Sequence, residues 1–100
     1  MKSRYVFPRH TKADLPMAVG GEGAWLIDAD GKRYIDASGG AAVSCLGHSD
    51  PDVIAAIKAQ ADTLAYAHTA FFTSPPAEAL AEKLVSLAPE GIERVYYVSG

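Results

Sequence analysis

The residues best placed to do chemistry stand at the end of the 100-residue chain, where the apolar run Val95-Tyr96-Tyr97-Val98 continues into Ser99-Gly100. Many α/β proteins approach a phosphate with a strand that ends in small residues. The helix that follows then offers its free N–H groups and positive dipole end to the anion. Here the chain ends before any helix, so the sequence predicts a piece of an enzyme that carries the approach to an anion site. Ser99 and Gly100 are the candidate phosphate contacts, and a plain exit from strand to loop is the competing reading.

Several elements have to position that ending. Val95 to Val98 is short and unbroken, the pattern of a strand buried on both faces in a parallel sheet. A helix should precede it, starting near Pro76, with Ser74 as cap and proline tolerated in the first turn. Leu80, Leu84 and Leu87 give that helix its stripe, flanked by Ala77 and Ala81. Ala88-Pro89-Glu90-Gly91 ends it. An earlier helix opens at Asp50-Pro51, and Val53, Ile54, Ile57, Ala61 and Leu64 recur on one of its faces. Between the helices lies an aromatic connector, Tyr66 to Ser74, with Phe71 and Phe72 at its centre.

Upstream, Ala24 to Asp28 and Lys32 to Asp36 flank Ala29-Asp30-Gly31, a strong hairpin signal because glycine accepts the positive φ of a tight turn. Trp25 and Tyr34 are expected to pair across it. Residues 1 to about 20 read as an irregular arm. Ala37 to Ser44 carries almost no side-chain bulk, which suits a pocket wall or close backbone packing as well as it suits a flexible turn. Leu46-Gly47-His48 then turns the chain. His48 reads as a structural hydrogen-bonding residue and Cys45 as a small buried hydrophobe.

The hairpin pairs only with itself, the last strand has no neighbour, and both helical stripes need something to cover. The sequence therefore reads as one shaped to pack against further chain. Its net charge of −3, with interspersed signs, argues against a nucleic-acid surface. No segment approaches the roughly 18 apolar residues of a membrane span. The N-terminus lacks the roughly 7–15 apolar residues of a signal peptide. The single cysteine forms no disulfide framework or metal-ligand spacing. Soluble and cytoplasmic is the default expectation.

Taken in order, Gly23-Ala-Trp-Leu-Ile-Asp-Ala-Asp-Gly-Lys-Arg-Tyr-Ile-Asp36, Leu46-Gly47-His48 with Asp50-Pro51, Ala88-Pro89 and Tyr96-Tyr97-Val98-Ser99-Gly100 resemble the N-terminal portion of a class III aminotransferase. The resemblance runs from about Tyr5 to the last residue and rests on the order and spacing of these stretches, not on any one of them. It implies an α/β fragment of fold type I: an N-terminal arm, a β-hairpin, two helices and the first strand of a large domain. Residues 1–69 would belong to the small domain and 70–100 would start the large, cofactor-binding one. The implied cofactor is pyridoxal 5'-phosphate, held on a lysine, with an amine or amino acid and a keto acid as substrates and a homodimer as the assembly. Ser99 and Gly100 then become cofactor-binding candidates. Ala41 and Ala42 occupy a stretch that lines the substrate pocket in similar transaminases, where several carry a bulky aromatic. Phe71 and Phe72 fall in a connector that reaches the partner's active site in such dimers.

The resemblance places the catalytic lysine downstream of this chain. Lys2, Lys12, Lys32, Lys58 and Lys83 fall on an arm, a hairpin edge and wet helix faces, so no catalytic residue is assigned. Aminotransfer from an amine or ω-amino acid to a keto acid such as pyruvate is the expected reaction of the whole enzyme. An aminomutase or decarboxylase of the same fold is the nearby alternative, and a free-standing interaction or structural module is the distant one.

Overall fold

The computed structural model describes residues 5–99, in two compact units, Met1–Ala59 and Gln60–Gly100. In the first unit, β1 (Ala18–Glu22), β2 (Trp25–Asp28) and β3 (Arg33–Ile35) form an antiparallel sheet in the order β1-β2-β3. The expected hairpin is β2–β3, with Trp25 opposite Ile35, Leu26 opposite Tyr34 and Ile27 opposite Arg33.

β1 corrects the reading of an irregular arm up to residue 20. Ala18-Val19-Gly20-Gly21 lacks the alternation and the β-branched content that mark a strand in sequence. It becomes one because β2 offers a free edge, and the ladder runs on through a bond from the Ala29 N–H to the Met17 carbonyl (2.9 Å). A register irregularity between Ala18 and Gly20 also blurs the period. Gly21 is required by contact: a Cβ there would lie 2.7 Å from that of His48.

The expected Trp25–Tyr34 pair does not form. Residues directly opposite share a face, and Tyr34 stands opposite Leu26 while Trp25 stands opposite Ile35. The two rings therefore lie on opposite faces. Trp25 instead stacks beneath the Arg33 guanidinium at 4.5 Å, and Tyr34 lies under the Lys32 ammonium at 4.9 Å.

The small-residue run becomes α1 (Gly39–Ala42), a helix in hydrogen-bond pattern only. Its φ angles are +61°, +57°, +62° and +67° in order, so it is one left-handed turn. α2 (Pro51–Thr63) follows. Asp50 caps it as expected, with Oδ1 accepting from the N–H groups of Asp52 (3.1 Å) and Val53 (3.0 Å).

In the second unit, α3 (Pro75–Leu87) has Ser74 in the capping position, but its side chain makes no cap bond. Thr73 donates instead to the Glu78 carboxylate at 2.6 Å, tying the first turn to the residue before the cap. The residues of α3 that become half-buried are Ala77, Ala81 and Val85, spaced by four. Tyr97 docks there by donating its hydroxyl to the Ala77 carbonyl (2.7 Å). Leu80, Leu84 and Leu87 stay 50, 42 and 71 % exposed.

Residues 95–98 form no strand. A strand exists only by hydrogen bonding to a neighbour, and this segment rests on a helix. Among the described residues no hydrophobic side chain is buried, and the one buried residue is Asp28, 6 % exposed. No helix among them is long and apolar enough to cross a membrane.

Candidate functional site

Two aspartates organise the first unit, and neither stood out in the sequence. Asp28 ends β2 and folds its carboxylate over the hairpin turn. Oδ1 accepts from the N–H groups of Asp30 (3.0 Å) and Lys32 (2.9 Å), and Oδ2 accepts from the Tyr34 hydroxyl (2.8 Å). Donation by Tyr34, with the two backbone N–H groups and nearby Lys32, holds the Asp28 carboxyl below its ordinary value against the opposing effect of burial. The same bond pushes the Tyr34 hydroxyl up, because the carboxylate resists a second negative charge beside it.

Asp36 follows β3 and does the same for the left-handed turn. Its Oδ1 accepts from the Gly39 N–H (3.0 Å). Its Oδ2 accepts from the Ser44 hydroxyl (2.7 Å) and from Nε2 of His48 (2.7 Å), which must donate because a carboxylate only accepts. The Ser44 bond, then the His48 bond, hold the Asp36 carboxyl below its usual range. His48 is pinned in turn by the backbone, exchanging N–H···O bonds of 2.8 and 3.1 Å with Gly23. One carboxylate thus grips both ends of the turn and ties it to the sheet.

That grip matters because left-handed backbone is unfavourable for alanine, by about 1–2 kcal/mol per residue. Ala41 and Ala42 both adopt it. Inside the turn only the bonds from the Val43 and Ser44 N–H groups to the Gly39 carbonyl (2.7 and 2.9 Å) oppose the strain. Both alanines are exposed. Cys45 is also exposed, against the expectation of burial, and its thiol donates to the Ala42 carbonyl at 3.1 Å.

Phe71 and Phe72 lie in the second unit, 79 and 67 % exposed. Phe72 lines an open cavity of ≈ 420 Å³ with Leu64, Tyr66, Ala67, His68 and Thr73. Phe71 lies beside it, its ring 5.5 Å from that of His68. His68 carried no signal in the sequence. Its Nδ1 accepts from the Ala70 N–H (3.0 Å), which fixes the ring at the cavity wall. Ser99 is exposed and lies outside any helix or strand; Gly100 falls outside the described residues. Lys12, Lys32, Lys58 and Lys83 are all exposed. No group of three metal-ligating side chains gathers among the described residues.

This order of elements is that of a known family. The sequence model of the aminotransferase class-III family matches residues 7–100, and the chain belongs to that family. It is 40 % identical, over 98 % of its own length and 21 % of the relative's, to an uncharacterized aminotransferase of Schizosaccharomyces pombe. An acetylornithine aminotransferase of Mycolicibacterium smegmatis is 51 % identical over 67 % of this chain and 17 % of the relative.

Solved structures agree. An omega transaminase from Pseudomonas jessenii, in complex with PMP, superposes with a TM-score of 0.76 at 31 % identity, over 94 % of this chain and 21 % of that one. A taurine:2-oxoglutarate aminotransferase from Bifidobacterium kashiwanohense, in complex with PLP and glutamate, gives 0.76 at 36 % identity, over 84 and 19 %. The chain spans about a fifth of the length of the relatives it matches.

Proposed function

We infer that this chain is the N-terminal part of a pyridoxal-phosphate-dependent aminotransferase that moves an amino group from an amine or ω-amino acid to a keto acid such as pyruvate. The observation that carries the reading is the match to class-III aminotransferases over residues 7–100, with TM-scores of 0.76 to omega and taurine transaminases. Residues 1–69 are proposed as part of the small domain and 70–100 as the start of the cofactor domain, in a cytoplasmic homodimer.

The residues present suit the cofactor's phosphate. Ser99 is exposed and lies outside regular structure, and its hydroxyl is a donor an anion can use. Ser99 and Gly100 would hold the phosphate with the residues that follow. Ala41 and Ala42 would form one wall of the substrate pocket and leave it roomy, and Phe71 and Phe72 would reach the partner's active site in the dimer. Pyridoxal phosphate, once bound, would supply an electron sink for the reacting substrate carbon. This chain's share is binding and shape.

The test is expression of the full-length protein, supplied with pyridoxal phosphate, pyruvate and a panel of amines and ω-amino acids. Alanine should form with at least one donor, and the absence of amino transfer from all of them to pyruvate and to other keto acids sinks the reading. The 100-residue chain alone, treated with the cofactor and borohydride, should carry no pyridoxyl group selectively on one lysine, because its described lysines are all exposed to solvent.

A further inference from the structure

We propose that Asp36 is a positioning residue for the substrate pocket, acting by clamping Gly39–Ala42 in its left-handed turn through Gly39, Ser44 and His48. The proposal rests on the reading above, in which Ala41 and Ala42 face the substrate.

The observation behind it is a mismatch between residue type and conformation. Glycine occupies left-handed backbone freely, so Gly39 and Gly40 need no help, whereas Ala41 and Ala42 adopt it with φ of +62° and +67°. Strained non-glycine backbone persists only where the surroundings over-determine it, and such strain concentrates where a site needs a preset shape. The over-determination is visible. Asp36 holds the N–H that opens the turn (Gly39, 3.0 Å), the hydroxyl that closes it (Ser44, 2.7 Å) and an imidazole fixed on the sheet (His48, 2.7 Å). Moving any of these lets the turn relax, and the two alanine methyl groups then leave their present positions. Asp36 touches neither exposed methyl group through any of these bonds, so its effect on a substrate is exerted through the turn.

The distinguishing feature is that the clamp is needed only while residues 41 and 42 carry a Cβ. In the full-length enzyme loaded with cofactor, Asp36→Ala should speed amide exchange at Val43 and Ser44 by about tenfold or more, the equivalent of about 1.4 kcal/mol. It should raise KM for the amine donor by a similar, roughly tenfold factor and leave kcat within about twofold, the pattern of lost ground-state binding. In an Ala41→Gly, Ala42→Gly background, the same substitution should change KM by less than about threefold, because neighbouring changes in one network are non-additive.

Unchanged exchange overturns the clamp. Faster exchange with an unchanged KM, or an equal KM effect in the glycine background, overturns the link to the pocket. If Asp36→Ala does not fold, Asp36→Asn carries the same comparison, since it keeps an acceptor for the Gly39 N–H but offers an NH₂ group to His48. If the wild type transfers no amino group to any acceptor, the aminotransferase reading falls and the positioning role falls with it, whereas the exchange measurement still reports on the clamp alone.

Discussion

Gly47→Ala isolates the physical reason the 47–48 segment can reach the sheet. Gly47 has φ of +81°, and a Cβ built there would lie 3.0 Å from the oxygen and 3.3 Å from the carbon of the Gly23 carbonyl. The left-handed conformation alone costs an alanine about 1–2 kcal/mol. The contact adds to this, since both atoms are backbone and cannot rotate away. Gly23 must retreat, which loosens its two bonds with His48 (2.8 and 3.1 Å), each with a net value of about 0.5–1.5 kcal/mol. The sum is about 2–5 kcal/mol, or roughly 30- to 4,000-fold in a local opening equilibrium. Gly31 is a natural control: its φ is +80°, but nothing lies within 4 Å of a Cβ there. Gly31→Ala should therefore show the strain alone, about 1–2 kcal/mol. Native-state amide exchange in the full-length protein reads both, at Gly23 and His48 for the first variant and at Asp30 and Lys32 for the second. Equal effects at the two glycines, or Gly23 and His48 amides within about threefold of wild type after Gly47→Ala, would refute the role of the close approach.

Three further outcomes follow from charge and from helix faces. The Asp36 clamp and the Asp28 turn both involve carboxyls held below the ordinary value of 3.8. A depressed carboxyl contributes in full above the unfolded value and is lost as pH falls through its lower folded value. Both networks should thus persist down to pH 3.8 and fail only below it, as followed by NMR of the Asp28 and Asp36 carboxyl carbons; loss above that pH contradicts the geometry. At the alkaline end the Tyr34 hydroxyl, raised above 10.0, contributes below its unfolded value and is lost as pH rises through the folded one. On α3, Leu84→Ala in the 100-residue chain should change stability by less than about 0.5 kcal/mol, as for an exposed site. In the full-length protein it should cost about 2–5 kcal/mol if that face is then covered. Denaturant titrations of both proteins compare the two, and equal effects would mean the leucine face stays wet.

The two helices and the hairpin were legible because each is specified locally. Asp50-Pro51 supplies a cap and a preset φ, Pro75-Pro76 marks a first turn, and Asp30-Gly31 permits a tight reversal. None of these depends on distant residues. The order of these stretches also carried the family, since it reflects a long run of matched local choices. The tertiary structure decided what local rules leave open. β1 exists because β2 offers it an edge, although Gly20-Gly21 is a poor strand by composition. Residues 95–98 have strand composition but pair with no strand among the described residues, and Tyr97 bonds the Ala77 carbonyl of α3 instead. α3 itself half-buries Ala77, Ala81 and Val85, the side on which Tyr97 bonds the Ala77 carbonyl, and leaves its leucines exposed.

The candidate site divides in the same way. Ala41 and Ala42 were visible as small residues in a run without bulk. Their left-handed backbone was not, because it is imposed by Asp36, Ser44 and His48, which converge only after the sheet has folded. Asp36 directly before Ala-Ser-Gly-Gly was a signal that could have been used, since aspartate there readily bonds the N–H groups that follow. The sequence by itself determined the hairpin, the two long helices and the family they belong to, because these are written in short-range patterns. Only the tertiary structure decided how a strained turn is held, because that takes hydrogen bonds between residues up to 12 positions apart.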